Sequence, residues 1–373
     1  MRRLAAVSML LHDRSTTAGA VLGVVAIVFL VGQQLAVMFG LLTLMSALVD
    51  NSGADIWVLS QNTTTTNSAG TLPSHYVDRL AGLADIEWAE PVVYGAGQLQ
   101  LANGTFQSVQ IVGVVRPQLL GGPWKLAAGG NDVLLELEGV TVDKLDLKDL
   151  GDPRIGQIVE VNQKRVRIAG FTEGSRAFGP PVVFTNAIKA REVTGLQPDR
   201  VSNIIVKVKP GASVAAVLAQ VRQLLPTATV LTSADLSRNI RLYNLTNTGI
   251  GTSFGFSTLI GIIVGVVIIT LTMYTNVLNR QRDFAVLRAL GARRQDVFII
   301  ILYQALTIGL IGVLIGFFLL AGFLFGVYGS RLPANLPLWL PPAHALFTFL
   351  LCFVGSVLAL RLALKIEPAS AFR

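Results

Sequence analysis

The stretch NRQRDFAVLRALGARRQDVF (residues 279–298) carries seven charged residues in twenty. It separates two long runs, 242–279 and 297–330, that contain no Asp, Glu, Lys or Arg. Two further runs, 15–49 and 332–360, are equally free of charge. About 20 consecutive apolar residues suffice to cross the hydrocarbon core of a bilayer, so each run holds one spanning helix. The expected spans lie near 17–45, 250–278, 298–326 and 343–363. Composition agrees: 52% of the 373 residues are hydrophobic and 14% are charged, against about a quarter charged in soluble domains.

The net charge of +8 does not mark a nucleic-acid binder, because of where it sits. Residues 50–241 hold 18 basic and 18 acidic side chains. The whole excess flanks the apolar runs: Arg2, Arg3 and Arg14 before the first; Arg280, Arg282, Arg288, Arg293 and Arg294 between the second and third; Arg361, Lys365 and Arg373 after the fourth. The remaining loop has Arg331 alone. Positive charge marks the cytoplasmic side of short membrane loops, which predicts both termini and 279–297 inside and 50–241 outside. The first run is too long for a removable signal peptide and reads as an uncleaved anchor.

The expected organisation follows. Residues 1–14 form a cytoplasmic or interfacial segment, 15–49 helix one with a stalk, and 50–241 an extracytoplasmic α/β domain. Residues 242–278 form a second stalk and helix two, 279–297 the basic segment and 298–326 helix three. A short outer loop (327–342), helix four (343–363) and a cytoplasmic tail (364–373) complete the chain. The stalks are inferred from length: 35 helical residues would reach about 50 Å, against about 30 Å of hydrocarbon. The domain reads as mixed α/β. Asn103-Gly104 marks a hairpin, and Asn162-Gln163 a second one with weaker turn chemistry. Residues 201–232 read as strand, Pro-Gly turn, amphipathic helix and strand, and 74–94 as helix then strand. Two such units suggest a duplicated βαβ-type arrangement with an insertion around 115–185. In the apolar runs Gly251, Gly255, Gly261, Gly265, Gly312 and Gly316 recur four apart, the spacing that lets helices approach closely in lipid. Gln33 and Gln34 are the conspicuous polar residues there, with an interhelical hydrogen bond as their expected role.

Within the opening stretch, 280–290 forms a plausible short helix that Gly291 stops. Phe284, Leu287 and Gly291 fall along one side, and Arg280, Asp283 and Arg288 elsewhere. A loop that merely fixes topology needs scattered basic residues, not ordered apolar positions with a glycine terminator. Residues 279–316 resemble the signature of FtsX-like permeases, the membrane subunits of MacB-type (type VII) ABC transporters. ALKIEPASAFR (363–373) is similar to the family's C-terminal ending, and SGADIWVLSQ (52–61) to the start of the outer domain in DevC-like members. Asp283-Phe284 departs from the family's acidic-aliphatic pair.

The resemblance implies an α-helical membrane protein with four spanning helices and a MacB-like periplasmic core domain between helices one and two. It implies a cytoplasmic coupling segment that docks on an ATPase, with Arg280, Arg282, Asp283, Arg288, Arg293 and Arg294 as polar contacts and Phe284, Leu287 and Gly291 as the apolar side. No Gly-Lys pair occurs in the chain, so a Walker A loop is not encoded here, and ATP and Mg would be bound by a partner. The implied assembly is a homodimer in the bacterial inner membrane, with an ABC ATPase subunit, a periplasmic membrane-fusion adaptor and an outer-membrane channel. Its implied cargo is a lipid, glycolipid, lipoprotein or other amphiphile. A regulator of a periplasmic cell-wall hydrolase and a membrane sensor without an ATPase are the alternatives. His12, His75 and His344 are scattered, and the single Cys352 lies in an apolar run. No metal-ligand spacing or nucleophile elbow is present. The acidic pairs Glu136/Glu138 and Asp143/Asp146 read as solvated faces.

Overall fold

The computed structural model describes residues 14–63, 65–66, 70–115, 119–129, 134–279 and 293–363. They form two compact units. One is Leu41–Gly249, and the other comprises the residues on either side of it.

The chain begins with α1 (Arg14–Asp50) and β1 (Ile56–Ser60), followed by β2 (Leu72–Pro73), α2 (His75–Ala81) and the long β3 (Ile86–Gln100). Next come β4 (Phe106–Val114), β5 (Leu126–Ala128), β6 (Gly139–Asp143) with a 3-10 turn after it, β7 (Ile158–Val161), β8 (Lys164–Thr172), β9 (Val182–Asn186) and α3 (Ala187–Thr194). The unit closes with β10 (Arg200–Val201), β11 (Asn203–Val208), α4 (Val214–Leu224), β12 (Ala228–Thr232) and α5 (Ser233–Asn247). Three long helices follow: α6 (Ile250–Asn279), α7 (Arg294–Val327) and α8 (Leu340–Ala363).

Within Leu41–Gly249, β12, β1, β11 and β3 lie side by side in that order, all neighbours antiparallel. Helix α2 links β1 to β3 and α4 links β11 to β12, so two βαβ units interleave in the split βαβ pattern of ferredoxin-like sheets. The strands are apolar at successive positions because both faces are covered. Ile56, Val58, Ile204 and Val206 pack with Leu80, Val217 and Val221 from α2 and α4. Trp57, Leu59 and Ile205 pack on the other face with Leu48 and Val49 at the end of α1 and Leu236 and Ile240 of α5. The duplicated unit read from the sequence is present, but what interrupts it is larger than the expected insertion.

The interruption is a closed barrel. The far half of β3 pairs with β4, β4 with β9, β9 with β6, β6 with β8, β8 with β7, and β7 returns to β3 through Leu99↔Val161. Six strands thus close around Val109, Ile111, Val140, Ile168 and Val183, leaving little free edge. Gly97 faces this interior, where a Cβ would lie 2.7 Å from Val161 Cγ1. Both predicted hairpins belong to the barrel. At Asn162-Gln163 both turn residues are left-handed (φ 50° and 63°), as a type I′ turn requires. The Asn162 amide holds that turn to its neighbours: Oδ1 accepts the Gln98 N–H at 2.8 Å, and Nδ2 donates to the Val193 carbonyl at 2.9 Å.

Two expectations need correction. Asp143 and Asp146 are buried, not solvated. Asp143 accepts the Leu145 N–H at 3.0 Å and the Thr172 hydroxyl at 3.1 Å, while Asp146 is gripped by Arg176 at 2.9 and 3.3 Å. Local sequence suggested exposure because the compensating cation lies 30 positions further on. The second stalk is also not one helix with helix two. It is α5, which begins back at Ser233 and ends before Gly249, a left-handed residue (φ 76°) preceding α6.

Burial pushes the Asp143 carboxyl above its ordinary value, and the charge of Asp146 adds to the rise, against lowering by Leu145, Thr172 and Arg176. A raised folded-state value favours the protonated acid, so its stabilising contribution is full below the ordinary aspartate range and is lost as pH rises through the folded value. Asp143→Asn removes this slope. The melting temperature of the variant relative to wild type should therefore climb as pH rises above the ordinary aspartate range of about 4; a relative fall over that rise in the detergent-solubilised chain would contradict the assignment.

Candidate coupling site

Among the described residues, four helices are long and apolar enough to cross a bilayer: Thr17–Asp50, Ile250–Asn279, Gln295–Val327 and Leu340–Leu358. The basic segment falls between the second and third. Arg280, Arg282, Asp283, Phe284, Leu287, Arg288 and Gly291 lie outside the described residues. The structure does define the two helix ends that bracket them, Asn279 at the close of α6 and Arg294 at the start of α7. Arg293 is the N-cap of α7, and its N–H donates to the Asp296 carboxylate at 2.9 Å. Asp296 thereby satisfies a free donor and places negative charge at the positive end of the helix dipole.

The helices meet where glycines are. A Cβ at Gly312 or Gly316 of α7 would come within 2.6 and 2.7 Å of Val24 and Val28 of α1. Gly265 of α6 sits against Ile27, and Gly261 against Val31, where a Cβ would stand 2.7 and 3.3 Å away. Helix α8 uses the same device, with Gly355 over Ile269 of α6 and Gly309 of α7 beside Cys352. Four of the six sequence-read glycines therefore lie in close seams. Gly255 meets nothing within 4 Å, and Gly251 lies in the first turn of α6.

Three polar features complete this unit. His344 of α8 is buried, places its Nε2 3.0 Å from the Val28 carbonyl of α1, and packs edge-on against Phe317 of α7. One ring thus joins three helices, a role that scattered histidines in the sequence did not suggest. The α7–α8 connection reaches α1, where the Asn335 N–H donates to the Ala36 carbonyl at 2.9 Å and Trp339 stacks edge-on against Phe39. Gln33 and Gln34 are half-buried. Contrary to the expected interhelical hydrogen bond, neither has a hydrogen-bond partner among the described residues.

In the other unit the last turns of α1 are tied to α5. Arg241 donates from Nε to the Ser46 hydroxyl at 2.8 Å and from Nη2 to the Asp50 carboxylate at 2.6 Å, and Ser46 donates to Asp50 at 2.7 Å. The pair is partly exposed and adds about 1 kcal/mol or less to stability. It joins the last turns of α1 to α5.

Two family models cover most of this architecture. Residues 16–224 match the MacB-like periplasmic core domain, and residues 255–368 match the FtsX-like permease C-terminal region. The chain belongs to the MacB-like family of ABC transporter permeases. It is 25% identical to the macrolide export ATP-binding/permease protein MacB 2 of Aeromonas hydrophila over 82% of this chain and 49% of that one. It is 28% identical to MacB of Agrobacterium fabrum over 64% of this chain and 39% of that one. The chain thus spans half or less of the length of these curated relatives. The crystal structure of the periplasmic region of MacB from Actinobacillus actinomycetemcomitans aligns with 51% of this chain and 93% of its own length, at 16% identity and TM-score 0.40.

The seams are testable within this MacB-like bundle. Gly312→Leu and Gly316→Leu force α7 away from Val24 and Val28 and should each cost about 1–3 kcal/mol of stability. Gly322→Ala, where no atom lies within 4 Å, should stay within about 0.5 kcal/mol of wild type. Equilibrium unfolding in mixed micelles reads both; equal losses at all three sites would refute the seam assignment.

Proposed function

We propose that this chain is the permease of a MacB/DevC-like exporter. In this reading an ATP-binding unit outside the 373 residues docks on 279–297 from the cytoplasm, and its closure is carried to the Leu41–Gly249 unit on the periplasmic side. Both termini are cytoplasmic, in accord with the distribution of basic residues. The transporter works as a homodimer in the bacterial inner membrane, with a membrane-fusion adaptor and an outer-membrane channel as periplasmic partners. It moves a lipid, glycolipid, lipoprotein or other amphiphilic cargo.

The observation that supports this reading best is the continuity of α1. It runs without a break from Arg14 to Asp50, about 55 Å of helix, and its final turns contribute Leu48 and Val49 to the core beneath Trp57. A helix of this length is stiffer than any loop, so displacement at one end is delivered at the other. Coupling of this kind needs an element with two discrete arrangements that both ends bias. The Ser46–Asp50–Arg241 contacts direct that motion jointly into α1 and α5. The likeness to proteins named ATP-binding/permease supports ATP as the energy source.

Two measurements on the reconstituted transporter test this. Arg288→Glu combined with Phe284→Asp should reduce ATPase activity to that of the ATP-binding unit alone; unchanged stimulation refutes docking at the basic segment. Arg241→Asp should leave stimulated ATPase activity within about twofold while lowering cargo movement about tenfold, a change of about 1.4 kcal/mol in coupling. The paired exchange Asp50→Arg with Arg241→Asp should restore movement. Transport that ignores Arg241→Asp excludes this contact from the coupling path.

A further inference from the structure

The connection between α7 and α8 is built against α1. The Asn335 N–H donates to the Ala36 carbonyl at 2.9 Å, and the Trp339 ring stands edge-on to Phe39 with centroids 5.6 Å apart. Gly40 completes the seat: a Cβ there would overlap the Pro333 carbonyl and lie 2.7 Å from the Ala334 nitrogen. Ala36, Phe39 and Gly40 share one face of α1 by their spacing, so the connection is clamped at a single level of that helix.

Its outward side is unlike that of an aqueous loop. Leu338 is 96% exposed, Tyr328 88% and Trp339 58%, and Leu332 is exposed too. Residues 328–343 carry one charged side chain, Arg331. Tyrosine and tryptophan gather at the membrane–water boundary, where an amphipathic ring meets both solvents. On either side in sequence, Phe325 near the end of α7 and Leu346 in the second turn of α8 are exposed, so the apolar surface of the spans runs on into the connection.

The backbone is adapted to the same place. Peptide donors that enter a poorly hydrated layer must be satisfied within the protein. Pro333, Pro337, Pro341 and Pro342 have no N–H to satisfy, and the last two fall in the first turn of α8, where N–H groups lack a helical partner. Of the others, Ser330 and Leu340 donate theirs to the Val327 and Pro337 carbonyls, Leu332 to the Ser330 hydroxyl, and Asn335 to α1. A polar protein partner could accept such bonds itself; a lipid layer offers few, and here few are asked of it.

We propose that Tyr328–Trp339 is a membrane-interface anchor. Tyr328, Leu332, Leu338 and Trp339 enter the layer of lipid carbonyls and upper acyl chains, and the contacts at Ala36, Phe39 and Gly40 hold α1 at that depth. The partner is the lipid surface itself, with no headgroup charge required. Only the identity of the leaflet, the periplasmic one, rests on the exporter reading; insertion needs neither nucleotide nor ATPase.

The test reads Trp339 emission from the full chain in phosphatidylcholine nanodiscs, isolated as the difference between wild type and Trp339→Phe, since Trp57, Trp88 and Trp124 are common to both. Lipids brominated next to the carbonyl should quench it at least about threefold more than lipids brominated at mid-chain, and aqueous iodide should leave it unchanged. Gly40→Leu, which displaces the connection from α1, and the milder Phe39→Ala should each lower the shallow quenching about twofold or more. Gly326→Leu, at a position with nothing within 4 Å, should not. Quenching by iodide without quenching by either lipid overturns the proposal, as does strongest quenching from mid-chain. Shallow quenching that ignores both Gly40→Leu and Phe39→Ala rejects the hold on α1. Efficient disulfide formation between Leu338→Cys chains in native membranes also overturns the anchor, because a second copy would then be the occupant. None of these readings depends on ATPase stimulation, whose loss counts against the coupling reading alone.

Discussion

The structure depends on one requirement, that a backbone crossing hydrocarbon must satisfy its own hydrogen bonds. Helix α1 meets it from Arg14 onward and does not stop where the hydrocarbon would. It continues to Asp50, and its last turns enter the core under Trp57. The same secondary structure therefore solves a solvation problem at one end and a packing problem at the other. The chain after α5 takes a different course. There Gly249 adopts a left-handed conformation between α5 and α6, so the two helices are separate elements.

Packing within the membrane unit follows from the same solvent. Lipid is as apolar as leucine, so burying leucine between helices gains little, and close van der Waals contact must carry the association. Valines and isoleucines of α1 set into glycines of α6 and α7 supply that contact. β-Branched side chains have few rotamers to lose in a helix, which keeps the entropic cost of these seams low. The polar groups divide accordingly. His344 spends its Nε2 contact on a backbone carbonyl of α1 and acts as part of the packing, whereas Gln33 and Gln34 find no hydrogen-bond partner among the described residues.

Much of this was legible in the sequence, for reasons that can be named. The four spans announce themselves because charge is excluded over whole windows, a signal no tertiary contact can reverse. The interleaved βαβ half was readable because α4 has a clear apolar stripe and β1 and β11 are apolar at successive positions. The barrel was not. Its closure depends on β7 meeting β3 through two residue pairs, and β3 crosses from sheet to barrel between Val92 and Val93, just before Gly95 and Gly97, which locally resemble a loop. Asp143 and Asp146 were misread because exposure was judged from neighbours in sequence, while Arg176 arrives from β8's far end. The basic segment stood out through charge and family resemblance, yet its residues from Arg280 to Gly291 lie outside the described part, so the reading of that site still rests on sequence.

The distribution of charge ties these points together. Basic side chains cluster at one set of helix ends and are balanced by acids across 50–241, while the four apolar runs have none. Charge is thus kept out of the spans, where desolvating an unpaired ion would cost far more than any apolar contact returns.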